Sequence, residues 1–313
     1  MARWRWGLWA MLAVLSVFLC ANAEVGLDAD RIAADTLYLC EQIGIREAGT
    51  EAERQTCDWL EGRLTALGFS SGAGSLRRTA FRSLEEKTSE NLIAVCNAGS
   101  QGPLFTIVAH YDSVSTSPGA RDNAAAVGIL LDIARLLGPE CASLPCEIHL
   151  AFVGSEENGY HGARSYVARL SEAEKARHQG AFVMDISAAS PDDHAVLVTT
   201  LLGGRLPDGQ YAAAERLPAL ENGVTRAVSA ACQELSGIGA PSFYRGESDH
   251  QPFHDAGLEA ANVCWRRVEE GWPWLPDSYH QASDTPQELD YETAVLTGRC
   301  IVRAIELLTL ATQ

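Results

Sequence analysis

Three short segments of the chain are almost entirely apolar, and each is closely followed by polar or charged residues. They cover residues 104–109, 148–153 and 181–184. A strand that is apolar on both faces is typical of a parallel sheet covered by helices on each side. The sequence therefore predicts an α/β fold with a mostly parallel sheet.

The segments around these strands have the apolar spacing of helices, which favours the same fold class. Helices are predicted over residues 28–44, 51–67, 124–137, 159–170, 223–235 and 291–309. Thr50 is placed to cap the second of these helices and Gly68 to end it. One more strand is predicted over residues 91–95.

Residues 1–23 have the pattern of a secretory signal peptide. Arg3 and Arg5 precede an apolar run over residues 8–19, and the small residues Ala21 and Ala23 follow it. This order predicts cleavage after Ala23 and export to the periplasm or the medium. The alternation of strands and helices predicts a single domain over residues 24–313. A membrane anchor is the alternative, but the run is short for a span of about 20 residues.

The chain is acidic, with 24 basic and 41 acidic residues among 313 and a formal net charge of −17. Such a surface repels phosphate groups, so nucleic acid is excluded as an expected partner. It also disfavours binding to anionic lipid, and no membrane association is expected after signal cleavage.

Eight cysteines lie beyond residue 23, and an even number in an exported chain predicts disulfides. Cys141 and Cys146 flank a loop that contains a proline, and they are the local pair that the spacing favours. No CxxC spacing occurs, so a zinc site built from thiolates is not expected.

Candidate metal ligands follow the three apolar segments. His110 comes after the first segment, Glu156 and Glu157 after the second, and Asp185 after the third. Sites in open α/β sheets form beyond the carboxyl ends of the strands, so these side chains are expected to lie together. Histidine with carboxylates suits zinc, and clustered acids would repel each other without a cation. Taken singly, each pattern has a plainer interpretation as a cap, a solvated turn or a surface residue.

Six short motifs together resemble the co-catalytic di-zinc aminopeptidases. In chain order they are His110-Tyr111-Asp112-Ser113, Gly119-Ala120-Arg121-Asp122-Asn123, Ser155-Glu156-Glu157, Met184-Asp185, Ser248-Asp249-His250 and Tyr279-His280. The gaps from His110 to Asp122, on to Glu157 and on to Asp185 are 12, 35 and 28 residues, which is similar to the family's spacing. Secreted bacterial leucyl-type aminopeptidases belong to this family, and glutaminyl cyclases are close relatives. The resemblance implies a three-layer α/β/α sandwich around a mixed, mostly parallel central sheet, the zinc-exopeptidase type.

The resemblance also implies a ligand set for two zinc ions. His110 and Asp185 would bind one ion, Glu157 and His280 the other, and Asp122 would bridge both. The family's one-zinc relatives, the glutaminyl cyclases, would need only one of the two ions.

Further positions of the motifs receive supporting roles from the same resemblance. Glu156 would be the general base, and Tyr279 would donate a hydrogen bond to the oxyanion. Asp112 would hold the ring of His110, and Asp249 and His250 would support the site near the substrate.

These roles imply a secreted aminopeptidase that hydrolyses N-terminal residues from peptide substrates with water activated by zinc. Two alternatives stay open. One is a glutaminyl cyclase, a relative in which tryptophan usually precedes the last histidine, where this chain has Tyr279. The other is an inactive binding protein of the same fold, which the complete ligand set disfavours.

A tryptophan-rich segment directly precedes His280 and is expected to border the substrate pocket. Trp265, Trp272 and Trp274 lie in it, and an aromatic wall would favour apolar N-terminal residues. The same rings could instead belong to the core or to an outer lid.

Overall fold

The computed structural model describes residues 26–71, 75–83, 87–201, 221–243 and 247–312. The predicted signal peptide lies outside these described residues. The described strands are β1 Leu76–Arg82, β2 Thr88–Cys96, β3 Leu104–His110, β4 Glu147–Val153, β5 His178–Met184, β6 Val196–Thr200, β7 Ser242–Phe243, β8 Ala260–Glu269 and β9 Trp272–Trp274.

These strands form one mixed sheet in the order β1-β2-β4-β3-β5-β8-β6-β7, and β9 pairs with β8. The four central strands β4, β3, β5 and β8 are mutually parallel. Strands β1 and β2 on one side and β6 and β9 on the other add antiparallel pairs. The parallel centre brings the carboxyl ends of β4, β3 and β5 to one edge, which is where the candidate ligands follow in sequence.

The described helices cover both faces of this sheet. They are α1 Ala29–Leu37, α2 Glu51–Ala66, α3 Ala125–Leu137, α4 His161–Arg169, α5 Glu172–Arg177, α6 Gly223–Ser236, α7 Gln251–Asp255 and α8 Tyr291–Ala311. A π-helical turn over Tyr38–Ile43 extends α1. Thr50 caps α2 as predicted, because its hydroxyl accepts a hydrogen bond from the Glu53 amide.

Alternation of side chains along the strands divides the core into two layers. In β2, Leu92 and Ala94 pack with α1, α2, α3, α6 and α8 on one face. Ile93 and Val95 point to the other face and pack with α4 and α7. The three-layer α/β/α sandwich and the mixed sheet are therefore confirmed. None of the described helices has both the length and the apolar character that crossing a membrane requires.

Five of the described strands were not predicted, and each has a physical reason. β1 is an edge strand with three arginines and partly exposed side chains, so its sequence is as polar as a loop. β6, β7 and β9 are short. β8 is buried in its first half, but arginines and a glutamate end it. Part of β8 belongs to the tryptophan-rich segment that was expected to border the substrate pocket.

Candidate metal centre

Three neighbouring parallel strands deliver the predicted ligands to one edge of the sheet. His110 is the last residue of β3, Glu156 and Glu157 follow β4, and Asp185 directly follows β5. His110, Glu156 and Asp185 offer ligand atoms that all lie within 4.8 Å of one another, and so do His110, Asp122 and Glu157. The expectation that strand ends gather these side chains agrees with this arrangement.

Asp122 lies between the two histidines of the site. Its Oδ1 is 3.2 Å from Nε2 of His110, and its Oδ2 is 3.5 Å from Nε2 of His280. His280 Nε2 is also 3.1 Å from an oxygen of Glu157. The helix that follows, α3, has Ala124 at its N-cap and begins without a capping side-chain hydrogen bond. The plainer interpretation of Asp122 as a helix cap is therefore not supported.

The ring of His110 is oriented by Asp112. Nδ1 of His110 lies 3.3 Å from the carbonyl oxygen of Asp112 and 3.6 Å from its carboxylate. Both of these atoms can only accept, so Nδ1 carries a ring proton. With a cation bound, Nε2, which faces Asp122, would be the coordinating nitrogen, as in a metal-binding histidine.

The carboxylate of Asp112 also fixes the turn that carries both glutamates. It accepts hydrogen bonds from the backbone amides of Glu156 and Glu157, at 3.0 and 3.2 Å. One buried acid thus positions His110 and the two glutamates together.

The backbone is strained at three places around the site. Ser155, Ile186 and His280 have φ values of 56°, 59° and 59°, in the left-handed region that favours glycine. A non-glycine residue in this conformation costs roughly 1–3 kcal/mol of folding free energy, and the conformation persists only where the surrounding structure holds it. The sharp turns at Ser155 and Ile186 let Glu156 and Asp185 project from the strand ends. No glycine marks these positions, so the turns could not be predicted from the sequence.

Two buried side chains that the sequence analysis missed hold the loop of Asp122. Asp284 accepts hydrogen bonds from the amides of Arg121 and Asp122, at 2.7 and 3.2 Å. Arg46 is fully buried and donates to five backbone carbonyls, among them those of Pro118 and Gly119. The only sign of this role in the sequence is that Asp284 lies four residues after His280.

The carboxylates of the site would be hard to ionise together without a cation. Burial, with the neighbouring Asp122 carboxylate, raises the pKa of Glu157 to about 7 and also raises the pKa of Asp185. Burial raises the pKa of Glu156 well above its usual value. The carboxylates of Asp122 and Glu157 raise the pKa of His280 to about 10. A bound divalent cation would reverse these tendencies by favouring the anionic acids and neutral histidine.

Unpartnered ligand atoms support a metal at this site. The buried side-chain atoms that have no hydrogen-bond partner among the described residues include four on the predicted ligands: His110 Nε2, Glu157 Oε1, Asp185 Oδ1 and His280 Nε2. Burying such atoms without partners is costly unless a cation coordinates them. Imidazole nitrogens with carboxylate oxygens are a donor set that zinc prefers.

Tyr279 lies within the site, and its ring stacks on that of His280 with centroids 3.7 Å apart. Burial and the surrounding carboxylates raise its pKa, so the phenol stays protonated and able to donate. Asp249 is fully buried, neither of its carboxylate oxygens has a partner among the described residues, and burial raises its pKa to about 8. His250 is buried, and its Nε2 lies 3.1 Å from the carbonyl oxygen of Leu201.

The three tryptophans do not behave alike. Trp265 lies in β8, packs against the larger core layer and donates from its indole to Thr297 of α8, at 2.9 Å. That placement favours the core interpretation for Trp265. Trp272 is half-buried and Trp274 is 48% exposed, both in β9. Their contact with substrate stays a prediction.

A second cluster, Glu147, His149 and Glu174, has the residue types of a metal site. Nε2 of His149 lies 2.8 Å from Glu147, and its Nδ1 lies 2.7 Å from the hydroxyl of Tyr166. Arg177 lies 3.1 Å from the second oxygen of Glu147. Because these atoms already have partners and a counter-charge, the cluster is a hydrogen-bonded network.

Comparison with known proteins agrees with the arrangement of the first cluster. The family described as peptidase family M28 matches residues 91–305, which contain every predicted ligand. The chain belongs to peptidase family M28. The resemblance found in the sequence motifs is thereby confirmed.

Curated M28 relatives include the aminopeptidase YwaD of Bacillus subtilis. It is 30% identical over 231 residues, which cover 72% of this chain and 46% of YwaD. The leupeptin-inactivating enzyme 1 of Streptomyces exfoliatus is 27% identical over 70% of this chain and 44% of its own length. This chain therefore spans about half the length of the curated relatives that it matches.

A solved structure supports the M28 fold at low sequence identity. The zinc aminopeptidase BSAP of Bacillus subtilis aligns with a TM-score of 0.74 and 20% identity, covering 90% of this chain and 95% of BSAP. A glutaminyl cyclase of Bacteroides thetaiotaomicron has the same overall fold.

Proposed function

We propose that this M28 chain is a zinc-dependent aminopeptidase that removes N-terminal residues from peptides. The observation that carries the proposal is the position of the Asp122 carboxylate between His110 and His280. Glu156 lies close to His110 in the same site. The names of the relatives support the same activity, since YwaD and BSAP are both called aminopeptidases.

The proposal assigns two zinc ions to the five predicted ligands. His110 and Asp185 would hold one ion, Glu157 and His280 the other, and Asp122 would contribute one carboxylate oxygen to each. Bound there, the ions would lower the pKa of water toward about 7 and polarise the carbonyl group of the scissile bond.

Glu156 is the proton carrier in this proposal. Its carboxylate lies in the same group as His110 and Asp185, and its turn is fixed through the hydrogen bond to Asp112. From there it accepts the proton of the attacking water and passes it to the leaving amine. Glu156 and Glu157 thus have different roles although they are adjacent.

Tyr279 is the hydrogen-bond donor to the oxygen on which negative charge develops. The phenol is held against His280 by ring stacking, so little rearrangement is needed for it to donate. Its protonated state at neutral pH follows from its raised pKa.

A free amino terminus is the substrate feature that the site's negative charge favours. The carboxyl groups of Asp185, Glu156 and Asp249 interact electrostatically with one another, and a bound cation would favour their anionic forms, which attract an ammonium group. We further propose a preference for apolar N-terminal residues, with Trp272 and Trp274 beside the pocket. Export by the predicted signal peptide is also part of the proposal.

The alternative is glutaminyl cyclisation, because a glutaminyl cyclase of Bacteroides thetaiotaomicron shares the fold. Its structure aligns with a TM-score of 0.69 and 16% identity, over 90% of this chain and 98% of its own. Tyr279, where cyclases usually have tryptophan, favours the peptidase.

The test compares three substrates on purified, zinc-loaded protein. These are leucine p-nitroanilide, its N-acetylated form and a peptide with N-terminal glutamine. An aminopeptidase releases nitroaniline from the first only. Ammonia release from the glutamine peptide without anilide cleavage would indicate a cyclase, and cleavage of the acetylated anilide at a similar rate would contradict exopeptidase action.

A further inference from the structure

Two cysteines of the larger core layer lie against each other at the end of β2. The thiols of Cys96, the last residue of β2, and Cys141, in the segment after α3, are hydrogen-bonded to each other. Sγ of Cys141 is also 3.8 Å from the carbonyl oxygen of Val95, the neighbour of Cys96. Cys96 is buried, whereas Cys141 is partly exposed.

A second pair joins two helices that pack side by side. Cys232 lies in α6 and Cys300 in α8, and both are buried. Their thiols are hydrogen-bonded to each other, and Sγ of Cys232 lies 3.5 Å from the hydroxyl of Ser236.

The other four described cysteines have hydrogen-bonding partners that are not thiols. Cys40 faces the carbonyl of Pro118 at 3.5 Å. The neighbours of Cys57, Cys146 and Cys264 are the hydroxyls of Tyr111, Thr309 and Thr200. Cys146 also interacts electrostatically with Cys96, but Cys141 is the thiol that is hydrogen-bonded to Cys96. This contact favours Cys96–Cys141 over the Cys141–Cys146 pair that the spacing favours.

We propose that the fold is built to be cross-linked by two disulfides, Cys96–Cys141 and Cys232–Cys300, and that the other four cysteines remain thiols. The first would tie β2 to the segment after α3, and the second would tie α6 to α8. The proposal rests on the arrangement of the cysteines and is independent of the peptidase activity.

Each bond forms by exchange with a disulfide oxidant, such as oxidised glutathione. A cysteine thiolate attacks one sulfur of the oxidant, which gives a mixed disulfide and releases one thiolate. The sulfur of the second cysteine, on losing its proton, displaces the other thiolate. The two cysteines lose two electrons, the oxidant becomes two thiols, and the two protons end on those thiols.

One member of each pair is suited to be the attacking thiolate. The hydrogen bond from Cys96 lowers the pKa of Cys141, and the hydrogen bond from Cys300 lowers the pKa of Cys232 to about 6. Cys141 is reachable in the folded chain, whereas Cys232 is buried, so the second bond is expected to form during folding.

The test is disulfide mapping of the full chain, refolded with reduced and oxidised glutathione at neutral pH. Remaining thiols are alkylated in denaturant, and peptides are mapped by mass spectrometry without reduction. The proposal expects linked peptides that contain Cys96 with Cys141 and Cys232 with Cys300, and alkylated Cys40, Cys57, Cys146 and Cys264. A Cys141–Cys146 link, scrambled links or full alkylation of either pair would overturn the assignment of that pair.

A set of variants distinguishes stabilisation by the first disulfide from a general effect of cysteine substitution on folding. The Cys96→Ser/Cys141→Ser double variant removes the first bond, and Cys146→Ser is the matched control at a buried cysteine nearby. In wild type and in the control, a reducing agent should lower the thermal midpoint by several degrees, whereas the double variant should show a smaller shift. An equal shift in all three proteins would contradict the first bond.

Discussion

Oδ2 of Asp122 lies 3.5 Å from Nε2 of His280, although the two residues belong to widely separated parts of the chain. The other oxygen of the same carboxylate lies 3.2 Å from Nε2 of His110. Asp122 is thus the residue through which the β3 end and the loop after β9 meet. Under the proposed function, this carboxylate binds both metal ions.

Removal of the Asp122 carboxylate should therefore affect metal binding more than any other single change. Asp122→Ala is expected to lose at least one zinc ion per chain and to lower the thermal midpoint of the zinc-loaded protein by several degrees. Metal analysis after gel filtration and a thermal scan measure both effects. Asp255→Ala, at a half-exposed carboxylate in α7, is the control. Two tightly bound zinc ions in Asp122→Ala would show that Asp122 is not the bridge.

Glu156→Gln should separate proton transfer from metal binding. The amide keeps the size of the side chain, and the backbone hydrogen bond to Asp112 is unaffected. Turnover is expected to fall by about 10²- to 10⁴-fold, because a positioned general base contributes that much. Zinc content should stay at the wild-type value. A variant with near wild-type turnover would remove Glu156 from the mechanism.

Asp284→Asn tests whether the support of the Asp122 loop matters for the metal. The Asp284 carboxylate accepts from two backbone amides, whereas an asparagine side chain has only one acceptor oxygen. Zinc affinity should fall about 10- to 100-fold, as is usual when support of a ligand is lost. Competition with a zinc chelator measures this change. Exposed Glu288→Gln is the control, and equal affinity in both variants would contradict the role of Asp284.

His178 makes the folded chain sensitive to acid at a distance from the metal ligands. Burial, together with the charges of His149 and Arg177, lowers the pKa of His178 to about 3. In the unfolded chain its pKa is about 6.5, so only the unfolded state binds the proton between these values. The stability that His178 contributes is full above pH 6.5 and is lost as the pH falls toward 3.

The measurement is urea unfolding of chelated wild type and His178→Gln at pH 7.5 and 4.5. The glutamine retains a polar group for Thr106, which lies 3.0 Å from Nε2 of His178. The wild type should lose about 2–3 kcal/mol more than the variant between these pH values. Equal losses would show that His178 is not the acid-sensitive group.

Much of the fold follows from local patterns in the sequence. The central sheet can be predicted from the apolar segments of β3, β4 and β5. The helix α2 can be predicted from the residues at its two ends, because burial and capping act on neighbouring residues. The edge strand β1 could not be predicted in the same way. Two of its three arginines pair with acids that come near them only in the folded chain: Arg77 pairs with Glu174, and Arg78 pairs with Asp58 and Glu61.

The site divides in the same manner. His110, Glu157 and Asp185 can be found from the sequence because each lies at the end of a strand that can be recognised. Asp122 and His280 follow no predicted strand, and the resemblance of the motifs assigned them. The support of the site is not visible, since Arg46 and Asp284 act on backbone groups far away in the chain. Trp265 is the opposite case. It lies near the Tyr279-His280 motif in sequence, but its side chain packs in the core.

The central claim is that this chain binds two zinc ions and uses them to cleave an N-terminal residue. The most direct test is to add zinc stepwise to chelated protein while hydrolysis of leucine p-nitroanilide is followed. We predict that hydrolysis is absent at the start and reaches its plateau at two zinc ions per chain. A plateau at one ion together with cyclisation of N-terminal glutamine, or no turnover at any zinc concentration, would contradict the account.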